Sequence, residues 1–273
     1  MIRTTPTAVL WLAATLLAIT AGCGGNDDNG NHHAGGDWSP PVGTTWQWQL
    51  LGPIDDSFDV DVYDIDLFDV EVATIAGLQA DGRTVICYFS AGSWENWRED
   101  ADEFPAQVKG ETLEGWPDER WLDIRNHAVR NVMEKRLDLA AAKGCDAVEP
   151  DNVDGYTNAN GFGLTNADQL DYNRWLAAQS HARGLSVGLK NDLDQVAELV
   201  DNFDWALNEQ CRAYDECDML SPFLQAGKAV FNAEYVENWS DAAALRDEIC
   251  GTHPQLSTII KQWDLTARRL ACN

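Results

Sequence analysis

"DAVEPDNVDG", residues 146–155, begins as a strand and ends as a turn. Ala147, Glu149 and Asp151 alternate with Val148 and Pro150, so they share one face of an extended chain. That face changes from apolar to acidic as the strand runs out. Pro150 donates nothing to a sheet ladder, which suits a strand's last stretch. A solvated loop start is one reading of such an end. A reacting carboxylate at the mouth of a parallel barrel is the other, because barrels carry their chemistry at the C-terminal ends of strands.

The pattern repeats along the chain. Strands are expected at "TWQWQL" (45–50), "VDVYDID" (60–66), "TVICYFSA" (84–91), "DAVEPDN" (146–152), "SVGLKN" (186–191), "WALNEQ" (205–210), "AVFNAEY" (229–235) and "TIIKQW" (258–263). Helical periodicity lies between several of them. Residues 125–144 space apolar side chains at three to four and stop at Gly144, a C-cap signal. Residues 164–184 open with Thr165 or Asn166 as N-cap, carry Asp168 in the first turn and end at Gly184. Residues 192–203 are a shorter version. This alternation predicts a single-domain (β/α)8 TIM-type barrel over residues 42–273, close to the usual ~250 residues.

The repeat has defects. The first two strands are too close for a helix between them. Residues 92–125 form a long excursion rich in Trp and charge, in which only "RWLDI" (120–124) reads as strand. A doubly wound open sheet is the alternative, but no G-x-G-x-x-G or Walker motif supports it.

Other strands also end in polar groups. Asp64 and Asp66 follow Val60 and Val62 on one parity. Lys190 and Asn191 end the 186–191 run, Asn208, Glu209 and Gln210 the 205–210 run, and Glu234 and Tyr235 the 229–235 run. On one barrel rim these ends would form an acidic cup, with Lys190 and Tyr88 beside it. Two carboxylates flanking a glycosidic bond are the usual equipment for hydrolysing it, one protonated and one ionised. Crowded like charges push such pKa values apart. "DNVDG" does not match a calcium loop, because Val153 stands at a ligand position. No Cys or His spacing fits zinc. Neither a metal nor another cofactor is expected.

Composition narrows the partners. The 273 residues hold 45 Asp plus Glu against 19 Lys plus Arg, which argues against nucleic acid and fits a cationic partner. The 12 tryptophans suit a large core or platforms for sugar rings.

The N-terminus reads as targeting sequence. Arg3, the apolar run at 8–20 and "ITAGC" (19–23) make residues 1–22 a lipoprotein-type signal peptide, with Cys23 as the lipidated residue. Residues 23–41 are rich in Gly, Asn and Asp and read as a flexible tether. The chain is expected to be exported and anchored in a membrane through its lipid, at the cell surface or outer membrane; plain secretion is the alternative. With Cys23 set aside, an even number of cysteines remains, which predicts disulfides. Six cysteines allow about 15 pairings and the sequence does not fix which one holds; the set taken as the expectation is Cys211–Cys217 and Cys250–Cys272 as local loops, with Cys87–Cys145 joining neighbouring strands.

Taken in order, "WQWQL", "VDVYDIDLFD", "VICYFSAGSWENWRED", "GWPDERWLDIR", "GCDAVEPDNVDGY", "GLKN", "NEQC" and "AEY" resemble glycoside hydrolase family 114, the endo-α-1,4-polygalactosaminidases, over roughly residues 45–240. The resemblance implies a (β/α)8 barrel and retaining, endo-acting hydrolysis of α-1,4-linked galactosamine polysaccharide, cationic or partly acetylated. It makes Asp151 the nucleophile and Glu209 the general acid/base. Strand parity does not choose between Glu149 and Asp151; the resemblance does, and Asp154 falls outside the reaction. It also sets Asp64, Asp66, Tyr88, Asp123, Glu149, Lys190 and Glu234 around the substrate. Trp94 and Trp97 are candidates for stacking on sugar or for packing. Alternatives are an α-galactosidase-like barrel acting on neutral sugars and a non-catalytic carbohydrate-binding surface lipoprotein.

Overall fold

The computed structural model describes residues 38–272. The signal peptide, Cys23 and most of the expected tether lie outside the described residues. In chain order the strands are β1 (Trp46–Gln49), β2 (Val62–Asp66), β3 (Thr84–Ser90), β4 (Ser93–Glu95), β5 (Lys109–Leu113), β6 (Trp116–Leu122), β7 (Ala147–Asp151), β8 (Ser186–Lys190), β9 (Trp205–Glu209), β10 (Val230–Tyr235), β11 (Ser257–Lys261) and β12 (Leu270–Ala271). The helices are α1 (Val72–Ala80), α2 (His127–Lys143), α3 (Asn166–Ala182), α4 (Val196–Leu199), α5 (Ser221–Gln225) and α6 (Ala242–Ile249). Every run read as strand from the sequence forms one.

The main sheet has nine strands in the order β1-β2-β3-β7-β8-β9-β10-β11-β12. Each neighbouring pair from β1 to β11 is parallel, and β12 is antiparallel to β11. The expected sealed ring is seen only in part. Among the described residues β1 and β11 are not ladder partners, because β12 takes the free edge of β11. Other contacts tie the two ends of this curled sheet. Trp46 Nε1 donates to Ser257 O at 2.7 Å, Lys261 Nζ to Trp48 O at 2.7 Å, and Leu50 N to Leu265 O at 3.0 Å.

Strand alternation sends side chains to two faces. The concave face carries Trp46, Trp48, Val62, Ile86, Ala147, Trp205, Leu207 and Phe231, all buried. Gly188 is required there: a Cβ would meet the Trp205 ring at 2.3 Å. The other face, with Tyr63, Val85, Val148 and Val187, packs with Val129, Met133 and Leu137 of α2 and with Tyr172 and Leu176 of α3. Both long helices start and stop where the sequence signals them. Asn126 caps α2 by accepting from Ala128 N, and Gly144 ends it at φ 85°. Thr165 and Asp168 form a capping box on α3, a device worth about 1 kcal/mol. The 192–203 pattern yields a 3₁₀ turn, Leu193–Gln195, followed by the single turn of α4.

The excursion after β3 is more ordered than its sequence indicates. β4, β6 and β5 form a separate antiparallel sheet in the order β4-β6-β5. β4 has only three residues, and β5 and β6 are polar and largely exposed, so the sheet lacks the apolar alternation that marks a strand. Ion pairs secure the segment instead. Buried Arg98 binds Asp66 in a fork at 2.9 and 2.6 Å, and Arg136 of α2 binds Asp100 through two 2.8 Å bonds.

The three expected disulfides form: Cys87–Cys145, Cys211–Cys217 and Cys250–Cys272. The first closes a separation of 58 residues, worth about 4 kcal/mol in the chain-entropy account. Residues 38–41, read as the end of the tether, pack on the fold: Ala229 N donates to Pro40 O at 2.8 Å and Ser39 Oγ to Asp204 O at 2.9 Å.

Candidate active site

The C-terminal ends of the parallel strands open into a cavity of about 870 Å³. At its floor, the buried Lys190 ammonium lies 2.7 Å from Glu149 Oε1, 3.2 Å from Asp151 Oδ1 and 3.3 Å from Glu209 Oε2. Three adjacent strands, β7, β8 and β9, thus place three carboxylates around one cation. Glu149 is fully buried and takes a further bond from Trp48 Nε1 at 3.1 Å. Asp151 and Glu209 are partly exposed to the cavity.

Each of the two exposed carboxylates is oriented by its own donors. Tyr88 OH donates to Asp151 Oδ2 at 3.0 Å, and Asn152 N to Asp151 Oδ1 at 2.7 Å. Tyr235 OH donates to Glu209 Oε1, and Asn191 Nδ2 approaches Glu209 Oε2 at 3.4 Å. The backbone turns sharply after each strand: Asn152, Asn191 and Gln210 have φ of 61°, 49° and 62°. Left-handed non-glycine residues cost energy and cluster where function needs a fixed geometry. Gly92 completes the arrangement. Its N–H and that of Ala91 donate to Asp151 O, and a Cβ on Gly92 would fall 1.7 Å from Asn152 O.

Asp64 lies buried against Glu149. Burial first, and then the Glu149 charge beside it, pushes its pKa well above the carboxylate range. Burial likewise raises Glu149, to about 7, against the pull of Lys190. Asp64 does not line the cavity.

Of the other residues predicted from sequence, Tyr88 and Lys190 line the cavity. Asp66 does too, but Arg98 holds both its oxygens. The fold does not bring Asp123 or Glu234 to the cavity. Asp123 pairs with Arg125 at 2.8 Å on the outer surface. Glu234 has the opposite parity to Phe231, Ala233 and Tyr235, and its Oε1 accepts from Arg212 N at 2.8 Å, holding the loop after β9. Its strand neighbour Tyr235 is the residue that reaches the site. The parity of "AVFNAEY" already carried that signal, since Phe231 and Ala233 are its inward residues.

The lining is strongly acidic. Twelve Asp and Glu residues line the cavity against two cations, Arg98 and Lys190. Burial raises Glu119 to about 7, Asp154 to about 6 and Asp192 to about 9. Exposed aromatic side chains stand on the rim: Trp97, Trp116, Tyr214 and Trp263. Trp263 stacks on Tyr235 with centroids 4.0 Å apart. Trp94 instead packs inward, with its Nε1 on Ala101 O and Lys109 over its ring. Nothing local in the sequence distinguishes Asp154, Asp192, Glu119, Trp116 and Trp263 from solvated loop residues.

The model of glycoside-hydrolase family GH114 matches residues 29–273. The crystal structure of Aspergillus fumigatus Ega3 in complex with galactosamine is similar at a TM-score of 0.84 and 47% identity, covering 86% of this chain and 98% of Ega3. The glycoside hydrolase domain of PelA from Pseudomonas aeruginosa is similar in fold, with a TM-score of 0.66 and 16% identity over 85% of this chain and 99% of that domain. No curated protein sequence matches.

Proposed function

Because this chain belongs to glycoside-hydrolase family GH114, we propose that it cleaves α-1,4-linked galactosamine polysaccharide internally, with retention at the anomeric carbon. Asp151 is the nucleophile and Glu209 the general acid/base. Glu209 protonates the leaving oxygen while Asp151 forms a covalent bond to the anomeric carbon. Glu209 then takes a proton from the water that breaks that bond. Lys190 and Tyr88 hold Asp151 in position; Tyr235 and Asn191 hold Glu209. The (β/α)8 barrel of the resemblance is part of this reading, supported by the eight-membered parallel order from β1 to β11.

The observation that carries it is the shared Lys190. The Asp151 and Glu209 oxygens nearest Lys190 are no farther apart than arms of 3.2 and 3.3 Å laid end to end. One ammonium bridging both groups keeps them close, which supports the retaining spacing of about 5–5.5 Å. An open, acidic, aromatic-rimmed cleft supports entry of a cationic chain at its middle and argues against a neutral α-galactoside.

Incubation with partly de-N-acetylated α-1,4-galactosamine polymer, read by product mass, tests the proposal. Internal fragments of mixed length are expected. Release of monosaccharide alone, or no product, would sink it. Three disulfides support an exported enzyme, anchored through Cys23 in this reading. Radiolabelled fatty acid incorporated by the full chain and lost in Cys23→Ser checks the anchor.

A further inference from the structure

Asn152 follows Asp151 directly and holds it. Its N–H donates to Asp151 Oδ1 at 2.7 Å from a left-handed backbone, φ 61°. Such a conformation persists only where the surroundings fix it. Here the side chain does the fixing: Asn152 Nδ2 donates to Ser90 Oγ at 3.0 Å and to Ser93 Oγ at 3.2 Å. Both serines are buried; Ser90 ends β3 and Ser93 opens β4. The turn between them is held from three elements. Arg136 of α2 donates to Ser90 O at 2.6 Å, Tyr172 OH of α3 to Ala91 O at 2.6 Å, and Leu122 N of β6 to Gly92 O at 2.9 Å.

The direction of each proton in this array follows from donor and acceptor counts. A serine hydroxyl has one hydrogen and two lone pairs. Ser90 Oγ accepts from Asn152 Nδ2 and, at 3.1 Å, from Ser93 N. Its lone pairs are then used, so it donates across the 2.6 Å contact to Ser93 Oγ. Ser93 Oγ accepts from Ser90 and from Asn152, which leaves its own hydrogen to point outward. That hydrogen goes to Glu119 Oε2 at 2.6 Å. Glu119 lies on β6 of the inserted sheet and lines the cavity. Only an acceptor fits at this end of the chain. An ionised carboxylate serves, and so does a carboxyl protonated on its other oxygen, or an amide oxygen.

We propose that Glu119 is a positioning residue for Asp151, acting through Ser93, Ser90 and Asn152, given the reading of Asp151 as the nucleophile. The inserted sheet is then a working part of the reaction centre and not only a wall of the cleft. In Glu119→Met the buried Ser93 hydroxyl loses its acceptor, and its remaining neighbours in the array point donors at it. A buried donor left unpaired is costly. Relief comes by moving the Asn152 side chain, and with it the N–H that aims Asp151 Oδ1. A misplacement of about 1 Å at a reacting group costs about 100-fold in rate. The loss falls on kcat, because the chain runs to the attacking carboxylate and not to the sugar.

Steady-state kinetics on α-1,4-galactosamine polymer test this with Glu119→Met, Glu119→Gln, Ser93→Ala, and Ser93→Ala combined with Glu119→Met; thermal melting checks each fold. Ser93 does not line the cavity, so its removal reports on the chain of hydrogen bonds and not on substrate contact. Glu119→Met and Ser93→Ala should each lower kcat by about tenfold to 100-fold with KM changed much less. The combined variant should be no slower than the slower single one, and Glu119→Gln should recover most of the loss. Wild-type kcat in Ser93→Ala overturns the assignment. So do multiplied losses in the combined variant, a Glu119→Gln enzyme as slow as Glu119→Met, or an effect on KM alone, which would make Glu119 a substrate contact. Ser93→Ala decides by itself if the Glu119 variants do not fold. No cleavage of the polymer by wild type overturns the galactosamine reading and the positioning role with it; wild-type cleavage with an unimpaired Ser93→Ala overturns the positioning role alone.

Discussion

Lys190 sits 3.2 Å from Asp151 and 3.3 Å from Glu209, so one buried ammonium spans the two carboxylates assigned to the reaction. Its shortest contact, 2.7 Å, is to neither of them but to Glu149. Glu149 thus anchors the cation, and the cation positions the working pair. This division explains why a strand would carry two acids on one face: the deeper one holds Lys190 and the outer one meets the substrate.

Replacing either working carboxylate should abolish turnover. Asp151→Ala and Glu209→Gln are each expected to lose at least about 10³-fold in kcat, as the removal of reacting groups does elsewhere. Azide should restore turnover to Asp151→Ala and yield a glycosyl azide of inverted configuration, read by NMR. Rescue with retained configuration would reassign the nucleophile.

Lys190→Met should both unfold the protein more easily and silence it. The ion pair with Glu149 is buried on both sides, and removing one partner of such a pair costs about 3–5 kcal/mol. Adding Glu149→Gln to Lys190→Met should recover part of that stability in denaturant titration but none of the activity. Full activity in the double variant would remove Lys190 from the positioning role.

Trp263→Ala should act on long substrates more than short ones. Trp263 lies on the rim, stacked on Tyr235, and an aromatic stack is worth about 0.5–1.5 kcal/mol. Its loss should raise KM by roughly three- to tenfold for chains long enough to reach the rim. Equal effects on all chain lengths would mean that Trp263 matters only by supporting Tyr235.

Stability should fall as pH rises from the acid side. Asp64, Glu149, Glu119, Asp154 and Asp192 all have carboxyls raised by burial. Between their unfolded values near pH 4 and their raised folded values, the native state binds more protons than the unfolded one. Each such group therefore lowers stability with increasing pH, by at most about 1.4 kcal/mol per pH unit. Lys261, lowered to about 7 by burial, acts in the opposite direction above that pH. Melting temperature should accordingly drop most steeply between about pH 4 and 7, and Asp64→Asn should flatten the slope. An unchanged slope would mean that Asp64 is ionised in the native protein.

The sequence by itself determined the strands, the two long helices with their caps and the parity that turns Ala147, Glu149 and Asp151 to one face. Those features are local, or arise from periodicities of two and 3.6 that a short window reveals. It did not reveal the β4-β6-β5 sheet, whose polar strands are held by Arg98 and Arg136 rather than by apolar alternation. Nor did it separate Asp66, neutralised by Arg98, from Asp192, which no Lys or Arg among the described residues pairs with. Tertiary structure alone decided that, and also which carboxylates share Lys190. A carboxylate's role depends on the charge nearest to it in space, and Glu149 and Lys190 are 41 residues apart in the chain but 2.7 Å apart in the fold.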